Sequence, residues 1–189
     1  MEYPIRCTGN DTETGPMEAI VENDSAPYAR GDAANQTGPL YFRTPTRRSH
    51  LIPIDSGMTY GQMRMAVLGC DVTVASAILP GMMAGMYDEA SRTILIDRRL
   101  TYRQKRCTLV HELMHWRHGD GECSWGQGKA ERRARRETAL TLVSPIEYAL
   151  AEQLYDGKPE PIAQELNVTR QVIEDYRMML HESMPIPCK

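Results

Sequence analysis

The chain lacks a long apolar run. No stretch approaches the roughly 20 consecutive apolar residues that a membrane-spanning helix needs, so no membrane segment is expected. The first residues, MEYPIRCTGNDTETG, lack a basic start followed by an apolar stretch, the pattern of a secretory signal. CxxC pairs are absent too. The five cysteines (Cys7, Cys70, Cys107, Cys123 and Cys188) are odd in number and widely spaced. That argues against a disulfide framework and against a cysteine-based zinc site. An excess of one charge is also missing: the net charge of −3 gives no general case for nucleic acid or membrane binding. No internal repeat is evident. These absences point to a cytoplasmic protein, and they make the Asn167-Val168-Thr169 sequon and the Arg30-Gly31-Asp32 tripeptide chance matches.

What is present suffices for a folded domain. The chain has 189 residues, 41% of them hydrophobic, enough for one domain with a core and some extra length. Residues 1–49 are rich in Gly, Pro, Asn, Asp, Ser and Thr, and their apolar residues follow no period. They read as a low-complexity, disordered arm that touches down at Leu40-Tyr41-Phe42. RTPTRRSH closes the arm as a solvated linker. Residues 50–156 read as the main domain, and 157–189 as helices packed on it.

From Leu51 the composition changes. MTYGQMRMAVLGC has a helical look, and DVTVASAILP alternates at Val72 and Val74 as a strand does. GMMAGMYDEASRTILIDRRL reads as two short strands around a turn near 88–91. A helix is expected over 102–116, with Leu109, Leu113 and Met114 as its apolar stripe. HGDGECSWGQG has four glycines in eleven residues and must be a loop. A second helix is expected over 129–143. Ser144-Pro145-Ile146-Glu147 then starts a third with an N-cap, a first-turn proline and a capping box. PIAQELNVTRQVIEDYRMML reads as two short helices broken at Asn167-Val168, with Thr169 capping the second. Ile162, Leu166, Val168, Val172, Ile173, Tyr176 and Leu180 form its apolar stripe, which suits packing better than DNA contact.

The chemistry concentrates at TLVHELMHWRHGDG. Only five histidines occur in the chain, and His111, His115 and His118 lie within eight residues. On a helix, residues four apart share a face, so His111 and His115 can point both imidazoles at one ion. Glu112 stands on a neighbouring face, placed to take a proton from a zinc-bound water rather than to ligate. Zinc lowers the pKa of that water to about 7, so hydroxide is available at neutral pH for attack on a peptide carbonyl.

A third ligand is needed. His118 continues the pattern as HExxHxxH, near the helix end. KAERRARRETALTLV offers Glu131 and Glu137. On a helical wheel Arg132, Arg133, Arg135 and Arg136 fall on one side, read as a solvated face. Ala130, Glu131, Ala134, Glu137, Thr138, Thr141 and Leu142 occupy the other side. The two glutamates are about 120° apart, and the wheel does not choose between them.

At this point the residues resemble the ImmA/IrrE family of metallopeptidases of bacteria, mobile elements and phages. ILIDRRL comes shortly before RCTLVHELMH. Glu131-Arg132-Arg133-Ala134 matches a Glu-x-x-Ala pattern on a helix that runs to Pro145. IAQELNVTRQVIEDYRMML looks like the family's helix-turn-helix-like end. The likeness covers about residues 58–180. It implies an α+β, zincin-like metallopeptidase domain with a short β-sheet, an HExxH helix and a C-terminal helical segment. It implies Zn2+ held by His111, His115 and Glu131, with Glu137 in reserve, and Glu112 as the catalytic base. It implies a protein substrate, a helix-turn-helix transcriptional repressor. Two residues depart from the pattern: Glu137 stands where a bulky apolar residue is usual, and Met114 where glycine is frequent.

Two further expectations follow. The strand at 93–96 is the candidate edge for pairing with a substrate strand. Tyr87, Tyr102, His118 and Tyr148 are the chemically suitable oxyanion donors. The rival to a peptidase is a regulator that binds a protein or DNA and uses the metal structurally. Glu112 argues against it, because a structural site needs no general base.

Overall fold

The computed structural model describes residues 51–120 and 127–183. The expected arm over 1–49, its touch-down at Leu40-Tyr41-Phe42 and most of the glycine loop lie outside the described residues. The described elements run α1 (Tyr60–Ala66), a 3-10 turn (Val67–Gly69), β1 (Thr73–Ala77), β2 (Gly85–Asp88), β3 (Thr93–Asp97), α2 (Tyr102–His118), α3 (Gln127–Leu142), α4 (Pro145–Leu154), α5 (Pro159–Glu165) and α6 (Arg170–Ser183). The fold is α+β, a small three-stranded sheet with six helices, as expected for a small zincin-like domain.

Local chemistry sets the helix ends. Thr59 and Gln62 form a capping box at α1, and Thr101 and Gln104 form another at α2. In each, the threonine hydroxyl accepts a backbone N–H and the glutamine side chain accepts the N-cap N–H, satisfying two otherwise unpaired donors. At α4 only half of the expected box forms: the Ser144 hydroxyl accepts the Glu147 N–H at 3.5 Å. The hydroxyl of Thr169 does not cap α6. The Thr169 N–H instead points at Cys107 Sγ, 3.4 Å away on α2. The expected break before α6 is there, with Asn167 at φ 51°.

The sheet order is β1-β3-β2, with β1 parallel and β2 antiparallel to β3. The expected turn near 88–91 joins β2 to β3, and the Asp88 carboxylate accepts the N–H groups of Ala90 and Ser91 at 3.0 and 3.2 Å. The expectation that residues 93–96 form an edge is overturned. They belong to the central strand, paired on both sides, and Ile94 and Ile96 are fully buried. A strand covered on both sides reads as a nearly continuous apolar run, and TILID is such a run. The edges are β1 and β2. Ala84 accepts the Asp97 N–H at 2.9 Å, so alternation along the antiparallel ladder turns the backbone groups of Gly85 and Tyr87 to the open side of β2.

Helix α2 is the centre of the molecule. Every residue from 106 to 116 is buried, not only the expected stripe of Leu109, Leu113 and Met114. The sheet, α1 and α3 pack around it. A helix covered on all sides must find partners for its polar groups. Arg106, 1% exposed, donates from Nε to the Met58 carbonyl and from Nη1 to the Asn167 carbonyl, both at 2.8 Å, and from Nη2 to the Ser56 carbonyl. One side chain thus joins the segment before α1 to the turn before α6. Burial lowers the pKa of this guanidinium, and Cys107, Asp55 and Glu147 oppose the shift.

The C-terminal helices share this core. Ile162, Ala163, Val168, Val172, Ile173, Tyr176 and Met179 belong to the same buried cluster as the α2 residues. Leu180 does not: it is 40% exposed, and Met179 takes the inward position one residue earlier.

Replacing Arg106 by methionine removes the charge and leaves three part-buried carbonyls without its donors. Unmade bonds of this kind cost about 1–3 kcal/mol each, partly offset by relief from burying the charge. The expected result is a loss of about 3 kcal/mol of unfolding free energy in urea titrations. A stability equal to the parent's would show that the three carbonyls do not depend on it.

Candidate metal centre

Helices α2 and α3 bring three side chains to one point. His111 Nε2 and His115 Nε2 lie 3.1 Å apart. Glu131 Oε2 lies 3.3 Å from the first and 3.6 Å from the second. Ligand bonds of about 2.0–2.1 Å at tetrahedral angles give edges of about 3.3 Å between donor atoms. The triangle therefore has the size of one face of a zinc tetrahedron. Among the described residues this is the one group of His, Cys, Asp or Glu that could hold an ion. The donor set, two imidazoles and a carboxylate, also suits zinc.

Glu137 is elsewhere. Its carboxylate lies 2.9 Å from His118 Nε2 and 3.9 Å from Arg117. Six residues along a helix turn a side chain by about 120° and raise it by about 9 Å, so the two glutamates meet different residues of α2. His118 is engaged by Glu137 and stays out of the cluster.

Glu112 is 2% exposed. Burial raises its pKa, against the pull of His111 and His115, and the Tyr87 N–H of β2 donates to it. The approach of β2 to α2 requires glycine at position 85. A Cβ there would sit 2.4 Å from Thr108 Cγ2 and 3.2 Å from the Glu112 carboxylate. The general-base candidate is thus held between α2 and the open edge of β2.

Electrostatics within the cluster are strong. Burial opposes a charge on His115, but Asp120 and Glu131 outweigh it and raise its pKa to about 9. Burial likewise opposes charge on Glu131, and the two imidazoles overcome it, lowering that pKa to about 2. His115 Nδ1 lies 3.2 Å from Asp120 Oδ2, and Arg133 Nη2 donates to both Asp120 oxygens at 2.6 and 2.7 Å. His111 Nδ1, by contrast, is buried with no hydrogen-bond partner.

Sequence reasoning missed Gly85, Asp120 and Arg133. Asp120 carried a faint signal, since it follows Gly119, the left-handed C-cap of α2 at φ 64°. Arg133 was hidden in the expected solvated face. That face is only partly solvated: Arg132 is exposed and bonds back to the Gly128 carbonyl, whereas Arg133 pairs with Asp120 and Arg135 pairs with Asp175 of α6 at 2.5 Å. The four suggested oxyanion donors have partners outside the cluster. Tyr87 bonds Glu89, Tyr148 bonds Glu152 and Arg177, His118 bonds Glu137, and Tyr102 lies against Tyr60.

A helix carrying His-Glu-x-x-His over a small sheet, with a glutamate returned by the next helix, is an arrangement that metallopeptidases use. Residues 69–178 match the IrrE N-terminal-like domain of a peptidase family, and the chain belongs to that family. The family implies a metal cofactor. No curated protein and no solved structure matches the chain. No helix among the described residues is long and apolar enough to cross a membrane.

The two shifted groups set a pH window for the chelator-treated protein. The His115 pKa rises from 6.5 to about 9 on folding, so its contribution is complete below 6.5 and is lost as pH rises through 9. The Glu131 pKa falls from 4.5 to about 2, so its contribution is complete above 4.5 and is lost as pH falls through 2. Thermal melts of the chelated protein should therefore show Tm falling between pH 6.5 and 9. In His115→Gln that slope should flatten; an unchanged slope would assign it to another group.

Proposed function

We propose that this chain is a zinc-dependent metalloendopeptidase that cleaves a repressor-like regulatory protein. The observation that carries the reading is the convergence of His111, His115 and Glu131, with Glu112 buried beside them. In this reading the two imidazoles and the Glu131 carboxylate hold the ion. A bound zinc would bring the pKa of water to about 7 and polarise a carbonyl.

The chain's own residues supply the rest. Glu112 accepts a proton at its carboxylate and later returns it to the leaving amine. Its raised pKa suits both steps, because a group that titrates nearer neutrality gives and takes a proton more readily. The Tyr87 N–H keeps the carboxylate aimed. An extended peptide would add to the open side of β2, beside Glu112, through backbone hydrogen bonds other than that of the Tyr87 N–H, which Glu112 takes. That edge replaces the strand at 93–96 in the binding scheme. The substrate class, a helix-turn-helix repressor, rests on the family resemblance. A cytoplasmic location fits such a substrate.

Two variants test the reading. Glu112→Gln should keep the metal, measured by elemental analysis, and lose at least about 100-fold in cleavage of the cognate repressor. Full cleavage by that variant would refute the mechanism. Glu131→Gln should lose metal affinity by orders of magnitude, while Glu137→Gln should leave it near the parent's. The reverse pattern would move the third ligand to Glu137.

A further inference from the structure

Helix α3 touches the metal centre by a second route. Asp120 sits at the end of α2, where its own N–H bonds the His115 carbonyl at 3.0 Å. Its carboxylate reaches back 3.2 Å to His115 Nδ1. The other side of that carboxylate is taken by Arg133, two residues after Glu131 on α3. We propose that Asp120 and Arg133 form a positioning pair that fixes the ring orientation and tautomer of His115. The inference rests on the metal-site reading given above.

The physical argument has three parts. A ligating imidazole must present a lone pair at Nε2, so its proton must stay on Nδ1. A carboxylate at Nδ1 holds that proton there and makes the other nitrogen a better donor. Asp120 must itself stay aimed, and Arg133 Nη2 grips both of its oxygens, at 2.6 and 2.7 Å. Besides His115 itself, Arg133 is the one basic side chain paired with Asp120 among the described residues.

The geometry is asymmetric. His115 is held at Nδ1, and His111 is not: its Nδ1 is buried without a partner. His111 is instead confined by packing, with a fully buried ring 4.8 Å from that of His115. The ring near the end of α2 is the one that has the carboxylate behind it. Because Glu131 and Arg133 share one helix, a shift of α3 would move a ligand and the support of a second ligand together.

The test is metal binding by the full-length chain, measured by chelator competition with Zn2+ and by the visible spectrum of the Co2+ form. Asp120→Asn and Asp120→Ala should each weaken Zn2+ binding by roughly 10- to 100-fold and alter the cobalt bands. Arg133→Gln should shift both readouts in the same direction by less, and Arg133→Lys should restore most of the loss. In the double variant Asp120→Asn/Arg133→Gln the losses should not add, because the arginine acts through the aspartate. Parent-like affinity and cobalt spectrum in the Asp120 variants would overturn the proposal. If those variants fail to fold, the Arg133 pair decides it: equal loss in Arg133→Gln and Arg133→Lys, or none in either, overturns it. A chain that shows the expected ratios but cleaves no repressor sinks the peptidase reading and leaves the pair standing. A parent chain that binds no divalent ion overturns both.

Discussion

The burial of α2 on every side is the constraint from which the rest follows. Residues 106–116 of that helix have no face open to water. An ionisable group inside such a helix is costly unless it is paired. Arg106 is met by three backbone carbonyls, Glu112 by the Tyr87 N–H, and the two histidines by Glu131. The partners come from four parts of the chain: the segment before α1, β2, α3 and the turn before α6. The sheet, α3 and the turn before α6 are thus fixed in part by polar demands arising in α2. A site built this way is preorganised, because its side chains have little room to move and few waters to compete with.

Helix α3 answers the demand of the two histidines and pairs with charged groups beyond them. Its small residues Ala134 and Thr138 are buried and allow close approach to its neighbours. Glu131 faces the histidines, Arg133 holds Asp120, Glu137 takes His118, and Arg135 pairs with Asp175. The helix therefore joins the centre to α6, which packs on its other side. The C-terminal helices are part of the same hydrophobic cluster as the HExxH helix. Their helix-turn-helix-like order is explained by this packing alone and needs no nucleic acid.

Some features were legible because their physics is local. His111 and His115 share a helix face whatever surrounds them. Pro145 after Ser144, and the turn at 88–91, act within four residues. The two Thr-x-x-Gln boxes at α1 and α2 are encoded on the same local grounds. Glycine 85 had no local signal, since its need arises from Thr108 and Glu112, which lie more than twenty residues away on α2. The central place of β3 differs from the expected edge because strand order is set by which strands find each other, although the unbroken apolar run of TILID favours a covered strand.

The amino-acid order by itself determined the pair of imidazoles, the carboxylate between them in sequence, and the helix that presents them. Periodicity along one helix is enough for that. It left two glutamates about 120° apart, with His118 behind them, as candidates for a third ligand, and family resemblance favoured Glu131. Only the tertiary structure placed Glu131 within 3.6 Å of both histidines and sent Glu137 to His118. It alone brought Asp120 and Arg133 behind His115, and it made β2 the open edge beside Glu112. The reason is one of distance along the chain. How α3 crosses α2, and how three strands order themselves, depend on contacts between elements, and no local repeat of 3.6 or 2 residues encodes them.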